Sequence, residues 1–206
     1  KIINNQNLTL YDELASIIDE ESEVRICTSY ISIPALFELS AILNKVKFIE
    51  ILIDNPTVEK DIRFAYDNNE WKNYFQLKSR YQAERAKELV QNKCNIRQGS
   101  FGGQKFILIK NNSTTTCFLI VPNDINLLSL GILKSGLNIF INRITDEGDQ
   151  YSTIFKNIWL ASSKDLKQPI INWIEKAVNY NTPEFVYKFT INNIFHYIEK
   201  RKKTHC

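Results

Sequence analysis

The sequence predicts an α/β fold: a mixed β-sheet flanked by helices, with a C-terminal helical appendage. Strand-like and helix-like segments alternate in the first half of the chain, as they do in α/β proteins. The segment Phe48–Ile53 is almost continuously apolar, which is typical of a strand covered on both faces. Two later segments, Lys105–Lys110 and Thr116–Val121, are separated by a short polar turn, and this spacing predicts an antiparallel hairpin.

Local patterns place the remaining elements. Ser32 is a favourable N-cap residue and Pro34 suits a first helical turn, so a helix is expected to follow the first strand. Thr182 and Pro183 make a similar start for a last helix that ends near Glu199. Helices are also expected over 7–18, 80–93, 151–161 and 169–178, and strands over 24–30, 95–97 and 138–144.

These elements predict a division into two parts. Residues 1–165 are expected to form the α/β domain, and residues 166–206 the C-terminal helical extension. Hydrophobic residues make up 44% of the chain and charged residues 24%, a balance that favours a folded globular protein over a disordered one. The polar segment 54–79 is expected to be an irregular helical insertion.

Composition also limits the function classes. The net charge of +3 is too small to indicate a dedicated nucleic-acid domain. None of the four cysteines has the spacing of a zinc site, and Cys27 and Cys117 lie in apolar strands as small core residues. No signal peptide or membrane-spanning stretch is evident, so a cytoplasmic protein without membrane contact is expected.

Histidine is scarce in this chain. His196 and His205 are the only two, and both lie near the C-terminal end, away from any obvious nucleophile. The sequence contains no P-loop and no dinucleotide-binding fingerprint, so no cofactor and no metal are expected. The glycines at 99, 102 and 103 mark a loop, but their context is too limited to predict a phosphate cradle.

The order of segments carries more information. EVRICTSYIS is followed by PALFELSAIL, FIEILIDN, a long insertion, a helix, NIRQ, a glycine loop, KFILIK, TCFLIV, PNDIN and SGLNIFI. This layout resembles the phospholipase D superfamily, especially domains of restriction endonucleases and of phage-defence or DNA-repair helicases. Phe155 and Trp159 have the spacing of a Phe-x-x-x-Trp helix of that family. NTPEFVYKF is similar to the segment that joins such domains to a helicase core.

The resemblance implies a particular chemistry and assembly. In the family, a histidine attacks phosphorus and forms a phosphohistidine, and a second histidine from a symmetry-related copy protonates the leaving group. Lysine and asparagine side chains neutralise the phosphate oxygens, and no metal is needed. A chain with a single motif therefore has to form a homodimer to complete one site.

Most of the family's catalytic positions are altered in this chain. Lys105 and Asn138 match the family lysine and asparagine, whereas Gly103, Pro122, Asp124 and Phe140 stand where the family has histidine, serine, asparagine and glutamate. Glycine cannot act as a nucleophile, and a carboxylate in place of a neutral amide would repel a phosphodiester. The absence of histidine from residues 1–195 does not depend on how the motif is aligned.

The resemblance thus predicts a catalytically degenerate domain that binds DNA or RNA, or that dimerises, within a restriction, repair or phage-defence system. A helicase or an endonuclease subunit is the expected protein partner. The candidate phosphate-binding residues are Lys105, Asn138, Ser29 and Tyr30. The same residues also fit ordinary structural roles: a lysine at a strand edge, an asparagine in a turn, and packing at a strand end.

Two other functions remain open from the residues alone. An active endonuclease or phosphodiesterase with a non-standard site could hold a divalent metal on Asp54, Asp61 or Asp124. A protein-interaction scaffold could use the insertion as its contact surface. Trp71, Tyr74 and Phe75 cluster there, and aromatic residues are enriched at interface hot spots, although they could equally cover the sheet.

Overall fold

A mixed β-sheet lies at the centre of the computed structural model, which describes residues 1–5, 7–54, 77–120, 124–134 and 139–180. Its strands are β1 (Ile2–Ile3), β2 (Glu23–Thr28), β3 (Phe48–Ile53), β4 (Cys94–Gln98), β5 (Phe106–Asn111), β6 (Thr114–Ile120) and β7 (Ile141–Ile144). Its helices are α1 (Leu10–Ile17), α2 (Ile33–Leu43), α3 (Leu77–Lys93), α4 (Gly148–Ala161) and α5 (Lys167–Tyr180).

The strands of the described residues form one seven-stranded sheet in the order β1-β7-β6-β5-β2-β3-β4. β2, β3 and β4 run parallel, and all other neighbouring pairs are antiparallel. The register of β5 and β6 pairs Lys110 with Thr115, which confirms the predicted hairpin. The prediction of an α/β fold with a mixed sheet is therefore confirmed.

Helices cover the two faces of the sheet unequally. α1, α2, α3 and α5 pack on one face, where alternate strand residues such as Ile26, Ile51 and Ile109 are buried with them. α4 packs on the other face through Phe155, against the intervening strand residues such as Cys27 and Leu108. Burial on both faces explains why the central strands are almost continuously apolar.

Side-chain caps fix where the first helices begin. The Thr9 side chain accepts a hydrogen bond from the backbone of Asp12, whose side chain bonds back to the Thr9 backbone, so α1 starts at Leu10. The predicted helix over 7–18 is thus shortened at its beginning. Ser32 caps α2 by accepting from the Ala35 backbone N–H at 3.2 Å, as the sequence predicts.

Other boundaries differ modestly from the predictions. β7 starts at Ile141, within the predicted strand over 138–144, and α4 starts at Gly148, three residues before the predicted beginning. α5 belongs to the first part of the predicted C-terminal extension, and its residues Ile170, Trp173 and Ile174 are buried in the main core. Residues 181–206, with the predicted last helix, and most of the predicted insertion lie outside the described residues.

Candidate functional site

One edge of the sheet gathers the candidate residues. The parallel strands β2, β3 and β4 end there, so Ser29 follows β2, Asp54 follows β3 and Gly99 follows β4. β5 starts at this edge because Phe106 pairs with Cys27, and Lys105 lies immediately before it. The carboxyl ends of parallel strands are where α/β sheets most often bind ligands.

Four residues form an ionic cluster at this edge: Thr28, Ser29, Lys105 and Asp124. Lys105 Nζ lies 3.1 Å from Asp124 Oδ2. The other carboxylate oxygen, Oδ1, accepts the Ser29 backbone N–H at 3.1 Å and lies 3.2 Å from the Thr28 hydroxyl. The Lys105 and Asp124 side chains are only 15% and 25% exposed, so this ion pair is partly shielded from water. Charge-assisted hydrogen bonds in such surroundings hold both side chains in place.

Backbone contacts fix the position of Asp124. The next residue, Ile125, is buried and forms a parallel bridge with Ile31. The Ser32 N–H donates to the Ile125 carbonyl at 3.0 Å, and the Ile125 N–H donates to the Tyr30 carbonyl at 3.3 Å. These bonds tie the chain after β6 to the chain after β2, so the carboxylate is directed at the end of β2.

Gly103 lies in the tight turn that precedes Lys105. Gly102 and Gly103 have φ angles of 63° and 74°, and the Gln104 N–H donates to the Phe101 carbonyl at 3.3 Å. Residues other than glycine rarely adopt backbone angles in this left-handed region. A Cβ atom at Gly103 would meet nothing within 4 Å, so the turn restricts this position by its backbone angles and not by its neighbours.

The structure brings some of the predicted site residues together and separates others. Lys105, Ser29 and Asp124 meet in the ionic cluster, and the backbone of Tyr30 lies beside them. Phe140 lies at the same edge, but it precedes β7, two strands from Lys105, and is 58% exposed. Asn138 and Pro122 lie outside the described residues.

Beside the ionic cluster lies an open cleft of about 720 Å³, at the ends of β3 and β4 and next to the last turn of α4. Among the described residues, its polar lining comes from Asp54, Gln98, Ser100, Asn157, Ser162, Ser163 and Lys164. Of these residues, the sequence pointed only to Asp54, and only as a metal ligand. The short polar runs that follow β4 and α4 were the available signal, because polar residues directly after buried elements often line sites.

Close packing shapes one wall of this cleft. A Cβ atom on Gly99 would approach Leu52 Cδ2 of β3 to 2.9 Å and Ile158 Cγ2 of α4 to 3.0 Å, so a larger residue at position 99 would have to shift these two side chains. The Arg97 guanidinium lies 4.6 Å from the ring centroid of Trp159 and donates to the Trp159 carbonyl at 2.9 Å. The last turn of α4 is therefore held firmly against β4.

The residues proposed for other chemistries are separated or lie outside the described part. Among the described residues, no group of three or more histidine, cysteine, aspartate or glutamate side chains could hold a metal ion. Asp54 lines the cleft whereas Asp124 belongs to the ionic cluster. Outside the described residues lie Asp61, the aromatic residues Trp71, Tyr74 and Phe75, and both histidines, His196 and His205.

Three cysteines are buried in the core. Burial raises the pKa of the Cys27 thiol, and it raises the pKa values of Cys94 and Cys117 to about 12. These thiols stay neutral and unreactive near neutral pH, as expected of small core residues. No helix within the described ranges is long and apolar enough to cross a membrane.

Comparisons with known proteins do not identify a family for this chain. No protein-family model matches the chain, and no curated protein matches it significantly. One solved structure that it resembles is described as "Structure of TrmBL2, an archaeal chromatin protein, shows a novel mode of DNA binding". The identity is 10%, the TM-score is 0.38, and the match covers 80% of this chain and 53% of that one. The chain thus spans about half of that protein, and a TM-score this low supports no inference about function.

Proposed function

We propose that this chain is a phospholipase D-like domain without phosphodiesterase activity, which binds nucleic acid or dimerises within a restriction, repair or phage-defence system. The observation that supports the loss of activity is the ion pair between Lys105 and Asp124. The ammonium that would neutralise a phosphate oxygen is already paired with an internal carboxylate. The turn at Gly103 offers no nucleophile beside it.

The binding part of the proposal comes from the resemblance and from the position of Lys105. Its side chain lies at the carboxyl ends of three parallel strands, where a phosphate backbone could approach. Asp124 opposes such an approach, because a phosphodiester would have to displace or tolerate its carboxylate. We therefore expect weak binding that depends strongly on salt concentration.

A hydrolysis assay tests the loss of activity. Purified protein is incubated with bis(4-nitrophenyl) phosphate and with plasmid DNA, in the presence of EDTA, Mg²⁺ or Mn²⁺. We expect no hydrolysis by the natural chain, and none by the variant Gly103→His, because one imidazole without a free lysine does not rebuild the site. Turnover that disappears in Lys105→Ala would contradict the proposal.

A binding assay tests the nucleic-acid part. Fluorescence anisotropy of labelled duplex and single-stranded DNA and RNA is followed between about 50 and 200 mM salt. We expect Asp124→Asn to strengthen binding, because it removes the negative charge that opposes a phosphate, and Lys105→Gln to weaken it. Lys110→Gln, at the opposite end of β5, is the matched control and should have little effect. If binding is absent or insensitive to salt and the chain is monomeric in sedimentation, the binding and dimerisation proposals both fail.

A further inference from the structure

The cleft beside the ionic cluster differs from it in having polar groups that are not used by the protein. Within the described residues, the carboxylate of Asp54 and the ammonium of Lys164 take part in no hydrogen bond or ion pair. The same holds for the side chains of Gln98, Ser100, Asn157 and Ser163. Six polar side chains around one concave surface are therefore available to a ligand.

The two charges stand at opposite sides of the cleft. Asp54 follows β3, whose last residue Ile53 pairs with Gln98 of β4. On the other side of β4, the Lys164 carbonyl accepts the Gln98 N–H at 3.0 Å. The backbones of Asp54 and Lys164 are thus about two strand spacings apart, roughly 10 Å. The cleft offers an anion at one side, a cation at the other, and neutral donors and acceptors between them.

The wall of the cleft that α4 forms is held in place before any ligand binds. Arg97 Nη1 bridges the carbonyls of Trp159 and Ser162, at 2.9 Å and 3.3 Å. The Ser162 hydroxyl donates to the Ile158 carbonyl at 2.7 Å, which closes the last turn of α4. A ligand would therefore not have to order this wall, and a preformed site binds at a lower entropic cost.

From this arrangement we propose that the cleft binds a phosphorylated sugar. The Lys164 ammonium suits a phosphate group, and the two oxygens of Asp54 suit neighbouring hydroxyl groups, which donate hydrogen bonds. Amide and hydroxyl side chains between them can accept from and donate to the remaining oxygens. None of the described residues that line the cleft is aromatic, so this part of the lining lacks the stacking surface with which proteins commonly hold a nucleobase.

A phosphate group close to neighbouring hydroxyl groups occurs in a free sugar phosphate. It also occurs at the 3′ end of an RNA, where the last ribose keeps two neighbouring hydroxyl groups. This inference does not rest on the proposed nucleic-acid binding at Lys105. A free ligand could bind in the cleft even if the ionic cluster binds nothing. The probes are therefore ribose 5-phosphate, 2-deoxyribose 5-phosphate and a short RNA with a free 3′ end.

Isothermal titration calorimetry on the full chain provides the test. We expect ribose 5-phosphate to bind, and the deoxy analogue to bind about tenfold more weakly because it lacks one hydroxyl group. Lys164→Gln and Asp54→Asn should each weaken binding of ribose 5-phosphate by about tenfold or more. Lys156→Gln removes an equal charge from an exposed position on α4 outside the cleft, and should leave binding unchanged.

Competition identifies the source of the sugar phosphate. If the RNA displaces ribose 5-phosphate and its DNA counterpart does not, the ligand is an RNA end, and otherwise it is a free sugar phosphate. Asp124→Asn should change binding of the DNA probe but not of ribose 5-phosphate, which separates this proposal from the proposed function. No binding of ribose 5-phosphate, or binding that is equal in natural, Lys164→Gln and Asp54→Asn proteins, would overturn it.

Discussion

The ionic cluster and the cleft lie side by side at the same edge of the sheet. The charged groups of the cluster are bonded to each other, whereas those of the cleft, Asp54 and Lys164, have no bonding partner among the described residues. In the cluster, the Asp124 carboxylate already accepts from the Ser29 backbone and pairs with Lys105. In the cleft, no described residue bonds to the carboxylate of Asp54. The family resemblance points to the cluster, whereas the unused hydrogen-bonding capacity lies in the cleft. A position that a resemblance assigns to a catalytic motif is therefore not necessarily the place where a ligand finds available partners.

The largest effect is expected from a change that disturbs α4, because this helix forms a wall of the cleft and contributes no residue to the cluster. A Cβ atom on Gly148 would lie 1.9 Å from the carbonyl oxygen of Thr115, a contact with backbone that cannot move easily. We expect Gly148→Ala to lower the free energy of unfolding by about 3 kcal/mol, measured by urea denaturation. Binding of ribose 5-phosphate in the cleft should weaken as well.

Gly102→Ala is the control for Gly148→Ala. Its Cβ atom would meet nothing within 4 Å, so only the left-handed backbone, with φ of 63°, opposes the substitution. We expect a loss of about 1 kcal/mol. Equal losses for the two variants would show that α4 is not packed against β6 as the structure has it.

The second prediction compares the two carboxylates directly. Asp124→Ala removes the acceptor of the Ser29 N–H and the carboxylate that pairs with Lys105, and should cost about 2 to 3 kcal/mol in the free energy of unfolding. Asp124→Asn should cost less, because the amide oxygen can still accept from the backbone. Asp54→Asn should change stability by less than about 0.5 kcal/mol. A cost at Asp54 as large as that at Asp124 would remove the distinction between cluster and cleft.

A third, smaller effect concerns the strand beneath the cluster. Burial raises the pKa of the Cys27 thiol above its ordinary value of 9.0, so the folded protein keeps this proton while the unfolded chain releases it above pH 9. Above pH 9 the unfolded chain therefore binds fewer protons, and stability falls as pH rises. Between pH 8 and pH 10 this thiol should account for a loss of about 1.4 kcal/mol.

Urea denaturation at the two pH values measures this loss, with Cys27→Ala as the comparison. The variant should be less stable at pH 8 but should lose less stability on going to pH 10. A pH dependence that is identical in the two proteins would mean that Cys27 is not buried beneath the cluster.

Much of the sheet could be predicted because its signals are local. The apolar run at Phe48–Ile53 and the spacing of the β5–β6 hairpin are visible within short windows of sequence. β1 was missed because a strand of two residues has no pattern of its own. It exists only because Ile2 and Ile3 pair with Asn142 and Ile141, far along the chain.

The candidate sites show the same limit. The resemblance singled out Lys105 and Asp124, but their ion pair depends on bridges that bring the chain after β6 to the end of β2. The cleft combines residue 54, residues 98–100 and residues 157–164, and no periodicity or motif links three such separate segments. Sequence patterns report what each element buries, whereas a cleft depends on which elements end beside one another.

The pairing of β1 with β7 also has a consequence for the order of folding. β2 and β3 are joined by one helix, and β5 and β6 by a tight turn, so these pairs can form early at a small entropic cost. β1 precedes them all in the chain but has to wait for β7, the last strand among the described residues. During synthesis on the ribosome, we expect this first strand to join the sheet only after the rest is nearly complete.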